Sequence, residues 1–178
     1  MRKTIDQAWD DLNIESVKHL LSQTEMYLEA TIETAKVLTD RAVNVLQFSI
    51  PTVLALVGVA FAQSNQVLCH LSVLSIIFLL VISYKAIKVY ELYEIYSLGS
   101  PVENLLSDEI LKMDEQHKEF AFVFNSVRLN NNLISFNNNS NKQRQKHIYF
   151  IINTIKVGGG VILLYAILWY PVFQSLFE

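Results

Sequence analysis

The sequence predicts an all-α integral membrane protein with three spans, and two observations support this. Three stretches of apolar residues carry no charge, at about 42–62, 67–84 and 157–177. Each is long enough to cross a hydrocarbon core of about 30 Å at about 1.5 Å per helical residue. All 14 lysines and arginines lie before the first stretch or between the second and the third. Basic residues stay in the cytoplasm, so the N-terminus is predicted inside and the C-terminus outside.

The alternative to a membrane protein is a soluble helical bundle whose buried helices imitate spans. Apolar residues make up 52% of the 178 residues, which is high for an ordinary soluble domain. The charge-free stretches together also occupy a large share of this small chain. Residues 1–41 are polar and carry no apolar signal-peptide core. We therefore expect the first span to act as an uncleaved anchor.

Residues 4–41 are predicted to form an amphipathic helix that continues into the first span. Its apolar residues recur in two rows spaced seven apart, the pattern of an a/d seam in a coiled coil. Such a seam predicts association with another helix, either of the same subunit or of another copy. We assign the seam to association between copies, together with a small-residue pair that admits close helix contact: Ile14, Val17, Leu21, Leu28, Leu38, Gly58 and Ala62.

The first span contains polar residues at membrane depth. Asn44, Gln47 and Thr52 are costly there unless they face protein or water. Before the span, three acidic residues recur every fourth position and so stack on one helix face: Glu25, Glu29 and Glu33. A solvated surface accounts for these glutamates equally simply. In a ring of subunits, however, all six residues would line a water-filled path that concentrates cations.

The middle of the chain is predicted to be helical and cytoplasmic. The second span continues as a helix to about Leu98, and Lys85 and Lys88 mark its inner boundary. Another helix runs from Pro101 to about Val127, with one face formed by Leu105, Ile110, Met113, His117, Phe120, Phe124 and Val127. The asparagine-rich residues 130–141 suggest a loop or a weak helix end.

A basic run precedes the last apolar helix. Lys142, Arg144, Lys146 and His147 are assigned to anionic membrane lipid, or to a partner. The predicted domains are a cytoplasmic amphipathic helix (1–41), a transmembrane hairpin (42–86), a cytoplasmic helical region (87–147) and a C-terminal apolar helix expected to span (148–178).

The sequence carries no catalytic or metal-binding pattern. It has no P-loop, no nucleophile elbow, no His-Glu-x-x-His and no dinucleotide fingerprint. The histidines are scattered, and the single cysteine, Cys69, cannot form an internal disulfide. We therefore predict a protein that is not an enzyme and needs neither a metal nor a cofactor.

The layout of a cytoplasmic helix, a span hairpin, an asparagine-rich helical middle and a closing apolar helix resembles the membrane accessory proteins of type VI-B CRISPR systems. The resemblance covers the whole chain and rests on size, span layout and overall sequence character. It implies a homo-oligomeric pore, with an octamer suspected, in the bacterial inner membrane. Such a pore would strengthen antiviral defence by depolarising the membrane after a partner RNA-guided RNase has cut phage transcripts.

That family has been described as carrying a divergent helical ribonuclease domain, whose hallmark is an arginine followed by a histidine after four to six residues. Here only two residues separate Arg144 from His147. We therefore carry over no catalytic residues and expect no direct binding of nucleic acid.

Two further interpretations remain open. The helix-plus-hairpin plan also resembles two-span effectors of cyclic-nucleotide-signalled phage defence. Alternatively, the protein is a passive membrane scaffold that docks a cytoplasmic partner through residues 85–147. A large defined oligomer in detergent favours the pore, and a monomer favours the scaffold.

Overall fold

The computed structural model describes residues 12–62, 66–92, 95, 110 and 112–174. They form three α-helices: α1 (Ile14–Ala62), α2 (Gln66–Glu91) and α3 (Glu115–Gln174). The prediction of an all-α chain is thus confirmed for the described residues, which contain no strand. All three helices are long and apolar enough to cross a membrane. The three candidate spans of the sequence therefore lie on three separate helices.

Helix α1 begins at a side-chain cap. The backbone N–H of Ser16 donates to Asn13 Oδ1 at 2.8 Å, which satisfies one of the amides that a helix start leaves unpaired. Glu15 in the first turn adds a favourable interaction with the helix dipole. The helix continues through Pro51 to Ala62 without a break, as predicted. The predicted start at residues 4–11 lies outside the described residues.

Helix α2 ends earlier than predicted. It stops at Glu91 rather than near Leu98, and Leu92 forms a turn. The side chain of Arg144, on α3, donates from Nη2 to the carbonyl oxygen of Leu92. A carbonyl at a helix end has no partner within the helix. Arg144 therefore donates to this carbonyl oxygen in place of the backbone N–H that a further helical turn would have provided. The predicted stop signal at 98–101 lies outside the described residues.

Helix α3 begins at Glu115. The predicted single helix from Pro101 to about Val127 is interrupted, because residues 112–114 are not helical. The backbone N–H of His117 donates to Asp114 Oδ1 at 3.2 Å, so Asp114 caps the helix. A hydrogen bond from the His117 ring also lowers the pKa of Asp114. The cap therefore stabilises the fold above the ordinary pKa of an aspartate and loses this effect as pH falls through the lowered value. Residues 101–109 lie outside the described residues.

The asparagine-rich segment 130–141 is a central part of α3, so the prediction of a loop or a weak helix end is wrong. The helix runs for 60 residues and crosses both this segment and the predicted boundary at 147/148 without a break. Asparagine is a poor helix former, by roughly 0.7 kcal/mol relative to alanine. Contacts with α1 outweigh that preference here.

The chain divides into two compact units, and α1 and α3 contribute to both. The first unit comprises Met1–Ala35 and Glu94–Asn141. In this unit the described parts of α1 and α3 run parallel. Asn130 Nδ2 lies 3.5 Å from Thr24 Oγ1, and Asn137 Nδ2 lies 3.2 Å from Thr31 Oγ1. Both pairs are 106 positions apart, which only a parallel pair of helices allows.

The apolar core of the first unit lies next to these asparagine–threonine pairs, which we call the polar layers. Its buried residues, Val17 of α1 with Val123, Phe124 and Val127 of α3, are joined by half-buried neighbours: Leu12, Ile14, Leu21 and Phe120. Lys18 and Glu119 form an exposed ion pair at 2.6 Å between the same two helices. Exposed pairs of this kind contribute little, so the apolar residues and the buried amides hold the unit together.

The polar layers select one register for α1 and α3. Asn137 is 1% exposed and donates to Thr31 Oγ1, while Asn141 donates to the Thr31 carbonyl oxygen at 2.8 Å. A shift of one heptad would place Asn137 opposite Leu38 or Thr24, and Asn130 opposite Thr31 or Val17. Either shift puts one of the two amides against an apolar side chain. Burying an unpaired amide costs about 1–3 kcal/mol, so the observed register is preferred.

We expect Asn137→Ala to destabilise the first unit by about 1–3 kcal/mol, since Thr31 loses a buried partner and a small void forms. Asn139→Ala is the matched control, because Asn139 is exposed on the same helix. That change should be neutral or slightly stabilising, given the higher helix propensity of alanine. Thermal unfolding in mild detergent, followed by circular dichroism, compares the two. Equal transition temperatures would contradict the role of the buried amide.

The second unit comprises Lys36–Tyr93 and Lys142–Glu178. In this unit α2 runs antiparallel to α3: Arg144 contacts Leu92, and further along α3 Gly158 meets Phe78. The core combines one side of each helix: Leu38, Ala42, Ile82, Ala86, Val89, Ile148 and Ile151. The alanines allow the backbones to approach closely.

Helix α1 is also antiparallel to α2 in this unit. Ser49 Oγ and Ser83 Oγ are hydrogen-bonded at 2.7 Å, and Ala42 packs in the cluster that contains Ala86 and Val89. Since α1 and α3 both oppose α2, they run in the same direction here. A membrane crossed by these three segments would therefore have the N-terminal end of the α1 segment on one side and the C-terminal end of the α3 segment on the other.

Most of the apolar surface of these helices is uncovered. Within the most apolar window of each helix, only 6% of the residues in α1, 17% in α2 and 6% in α3 are buried. Phe61 is 89% exposed and Phe48 71% exposed. A soluble bundle would bury such windows, so this exposure disfavours that alternative. Lipid or further protein must cover these surfaces.

Candidate functional site

One side of α1 is left uncovered by α2 and α3. It carries Asn44, Gln47, Pro51 and Gly58, all exposed, which we call the open face of α1. These residues lie within about 60° of one another on the helix, at about 100° per residue. Ser49 points to the opposite side, where it is buried against Ser83 of α2. The structure therefore places Asn44 and Gln47 on one side of α1, as predicted, opposite the side that packs against α2.

The open face combines amide side chains with room for close contact. An alanine methyl at Gly58 would have no atom within 4 Å. Ala62, predicted with Gly58 as a small-residue pair, is also exposed. Amides in contact with lipid chains are costly, whereas water or another polar protein surface can satisfy them. The face is thus chemically suited to water or to another helix.

Thr52 does not belong to this face. It lies about 140° around the helix from Gln47. Its hydroxyl donates to the carbonyl oxygen of Phe48 at 2.7 Å, so the helix itself satisfies the group. We therefore remove Thr52 from the candidate pore-lining residues. Its role in the structure is that of a threonine bonded to its own helix, which is common within membranes.

The three predicted acidic residues are exposed on α1 in the first unit. Glu25, Glu29 and Glu33 keep the stacked arrangement that their spacing predicts, and none is buried against α3. Their carboxylates remain accessible to solvent cations. The stripe is therefore a charged surface open to solvent.

The predicted seam between copies is instead used within the subunit. Val17 and Leu28 are fully buried, Ile14 and Leu21 pack against the core of the first unit, and Leu38 belongs to the core of the second. The assignment of these five residues to an interface between copies is therefore wrong. A heptad seam demands a partner helix but does not specify which one. Here α3 of the same chain provides it.

The prediction for the basic run at 142–147 is wrong for one of its residues. Arg144 is 0% exposed, so it is not part of a surface patch for lipid or a partner. Burial lowers the pKa of its guanidinium, which nevertheless stays charged at physiological pH. Lys142 and Lys146 are exposed, and His147 is half-buried. Arg144 follows Asn137 by seven residues and therefore points to the same side of α3 as that buried amide.

The residues that position the helices were not assigned that role from the sequence. They are the buried polar pairs already described: Thr24, Thr31, Ser49, Ser83, Asn130, Asn137 and Asn141. A signal for some of them exists, because Asn130, Asn137 and Arg144 are spaced by seven, as are Thr24 and Thr31. Polar residues in heptad register specify alignment in coiled coils.

Within residues 12–62, 66–92, 95, 110 and 112–174, no group of three or more His, Cys, Asp or Glu side chains could hold a metal ion. Cys69 is a half-buried free thiol on α2. No protein-family model, curated protein or solved structure matches this chain.

Proposed function

We propose that the protein forms a homo-oligomeric ion-conducting assembly in the bacterial inner membrane. The observation that carries the proposal is the open face of α1. Asn44 and Gln47 are exposed within an apolar helix whose other side is packed against α2. Since lipid is a poor solvent for amides, we infer that this face meets water, or neighbouring copies around water.

A single subunit cannot enclose such a path. Among the described residues, Asn44 and Gln47 are exposed and are not covered by α2 or α3. Three spans are also too few for inverted repeats around a midplane site. Copies arranged with their open faces toward a common axis would enclose the amides, and Gly58 would permit close approach.

The proposed orientation places the N-terminus in the cytoplasm, following the distribution of the 14 basic residues. Glu25, Glu29 and Glu33 precede the open face along α1. Repeated in every copy, they would raise the local concentration of cations on the cytoplasmic side. We therefore expect the conductance to favour cations.

The cellular role that we propose follows the family resemblance. A cation leak depolarises the membrane, and a depolarised bacterium supports phage replication poorly. The protein would then act as a defence accessory beside an RNA-guided RNase, with that RNase as its functional partner and no enzymatic activity of its own. The resemblance also suggests a ring of eight copies.

Gln47→Lys should reduce cation leak from lipid vesicles that contain the purified protein. One lysine per copy on the open face would repel cations, and a unit charge about 4 Å away contributes about 1–4 kcal/mol between water and a protein surface. We expect at least about a tenfold loss of potassium flux. Gln143→Lys, at an exposed position of α3, is the matched control and should conduct as the wild type does.

Two results would contradict ion conduction through the open face. One is a wild-type flux no greater than that of empty vesicles. The other is an unchanged flux and ion selectivity in the Gln47→Lys protein. The mass of the protein in detergent tests the scaffold alternative separately, since that function requires no assembly. A stable monomer that still recruits a cytoplasmic partner to the membrane would favour the scaffold.

A further inference from the structure

A cluster of basic and aromatic side chains lies where α2 and α3 leave their apolar stretches. Lys85 Nζ is 4.9 Å from the ring centroid of Phe150 on α3 and 5.8 Å from that of Tyr84. Lys88 Nζ is 5.7 Å from the Tyr84 ring. The two ammonium groups are thus held over aromatic faces on one side of the α2–α3 pair, in a cation–π arrangement.

His147 belongs to the same cluster. It precedes Phe150 by about one helical turn, and Lys88 follows Lys85 by about one turn. Since α2 and α3 are antiparallel here, the contact between Lys85 and Phe150 brings Lys88 level with His147. The pKa of His147 is lowered, first by burial and then by the positive charges of Lys85 and Lys88. Three nitrogen-bearing side chains from two helices therefore converge on a small area.

We propose that Lys85, Lys88 and His147 bind the phosphate of an anionic phospholipid in the cytoplasmic leaflet. The two lysines directly follow the charge-free stretch 67–84, which is the depth of lipid headgroups if α2 spans. A phosphodiester between them would receive charge-assisted hydrogen bonds from both ammonium groups. Unlike the basic run predicted from sequence, this site excludes Arg144 and includes α2.

The surroundings of the cluster favour a lipid over a soluble anion. Tyr84 is 56% exposed, and Phe150, whose ring lies beside Lys85, is exposed as well. Tyrosine rings prefer the boundary between headgroups and acyl chains, and the exposed Phe150 adds apolar surface there. A soluble phosphate would leave this aromatic surface in water. The acyl chains of a phospholipid would cover it while the headgroup meets the lysines.

The carboxylate of Glu91 competes with a bound phosphate for Lys88. Its carboxylate lies 2.6 Å from Lys88 Nζ, and both side chains are partly exposed. An exposed ion pair of this type contributes little, so a lipid phosphate can displace it. Removing the carboxylate should therefore strengthen lipid binding, an effect that no general loss of folding would produce.

Native mass spectrometry of the purified full-length protein tests the site by counting the phosphatidylglycerol and phosphatidylcholine molecules retained per subunit. Lys85→Gln combined with Lys88→Gln should weaken the retention of phosphatidylglycerol about 30-fold. This value follows because each basic residue at an anionic membrane contributes about 1 kcal/mol, and about 1.4 kcal/mol changes an affinity tenfold. Lys36→Gln with Lys112→Gln removes two exposed charges elsewhere and should retain the lipid as the wild type does. Glu91→Gln should retain more, by up to about fivefold.

Equal retention of the two lipids by the wild type would overturn the proposal, and so would equal retention by the two double variants. A weaker interaction in Glu91→Gln would contradict it as well, and that variant remains informative if the lysine variant fails to fold. Excess inorganic phosphate tests the source of the anion. Full displacement of phosphatidylglycerol by phosphate would assign the site to a soluble anion instead. The inference rests on the membrane spanning of α2 but not on ion conduction, so either can fail while the other holds.

Discussion

Gly158→Ala is expected to destabilise the second unit by about 1–3 kcal/mol, although replacing a helical glycine with alanine normally stabilises. A methyl group at this position would overlap three atoms of the Phe78 ring. Phe78 is half-buried and packs against the core cluster of the second unit, so relieving the overlap requires the ring to shift from this packed position. Overpacking of this kind costs about 1–3 kcal/mol. The close contact of α2 and α3 therefore depends on the absence of a side chain.

The neighbouring glycine provides the matched control. A methyl at Gly159 would have no atom within 4 Å, so Gly159→Ala should leave stability unchanged or raise it by up to about 1 kcal/mol. Both variants are measured by unfolding in mild detergent titrated with sodium dodecyl sulfate. Phe78→Leu should rescue most of the loss in Gly158→Ala, because the smaller side chain leaves room for the methyl. Equal effects of the two glycine variants, or no rescue, would refute the contact.

Arg144→Ala is expected to reduce stability by about 2–4 kcal/mol. The side chain is fully buried and donates to the carbonyl oxygen of Leu92 at the end of α2. Truncation removes a charge-assisted hydrogen bond, worth about 1.5–3 kcal/mol, and leaves a void where the long stem was packed. We also expect faster hydrogen exchange in the last turn of α2, since that turn loses its external donor.

Two further variants separate the causes of that loss. Lys142→Ala removes a charge from an exposed position two residues away and should change stability by less than about 0.5 kcal/mol. Arg144→Met keeps much of the buried volume without the charge. It should recover most of the stability but not the protection of the α2 end, because a thioether cannot donate to the Leu92 carbonyl. A loss in Lys142→Ala as large as in Arg144→Ala would argue for a general effect of surface charge.

Local properties of the chain predicted much of the fold. The composition of each charge-free stretch indicates that its helix prefers lipid to water. The three apolar helices could therefore be recognised one at a time. The continuity of α1 from its amphipathic part into its apolar part was also predictable, since residues 4–50 contain no glycine or proline and the heptad rows continue. The open face of α1 was partly predictable as well. Asn44 and Gln47 are polar within an apolar segment, and their spacing places them on one side of a helix.

The errors concern residues whose role depends on a distant partner. Residues 130–141 look like a loop because asparagine favours turns, and only the threonines of α1, more than one hundred positions away, make a helix the better structure there. Arg144 looks like part of an exposed basic run, since its neighbours Lys142 and Lys146 are indeed exposed. Its burial depends on where α2 ends. The heptad seam of α1 similarly indicates that a helix packs against it but does not identify that helix.

The sequence by itself thus determined that this chain is helical, that three of its segments suit a membrane, and that α1 carries an apolar seam and a polar face. Periodicity and transfer free energy are properties of each segment alone, so they can be read without knowledge of the rest. Only the tertiary structure decided that α3 covers the seam, that it runs parallel to α1, and that Lys85 and Lys88 share a surface with His147. Pairing between helices is selected by shape and by buried hydrogen bonds across long sequence separations, and no single segment contains that information.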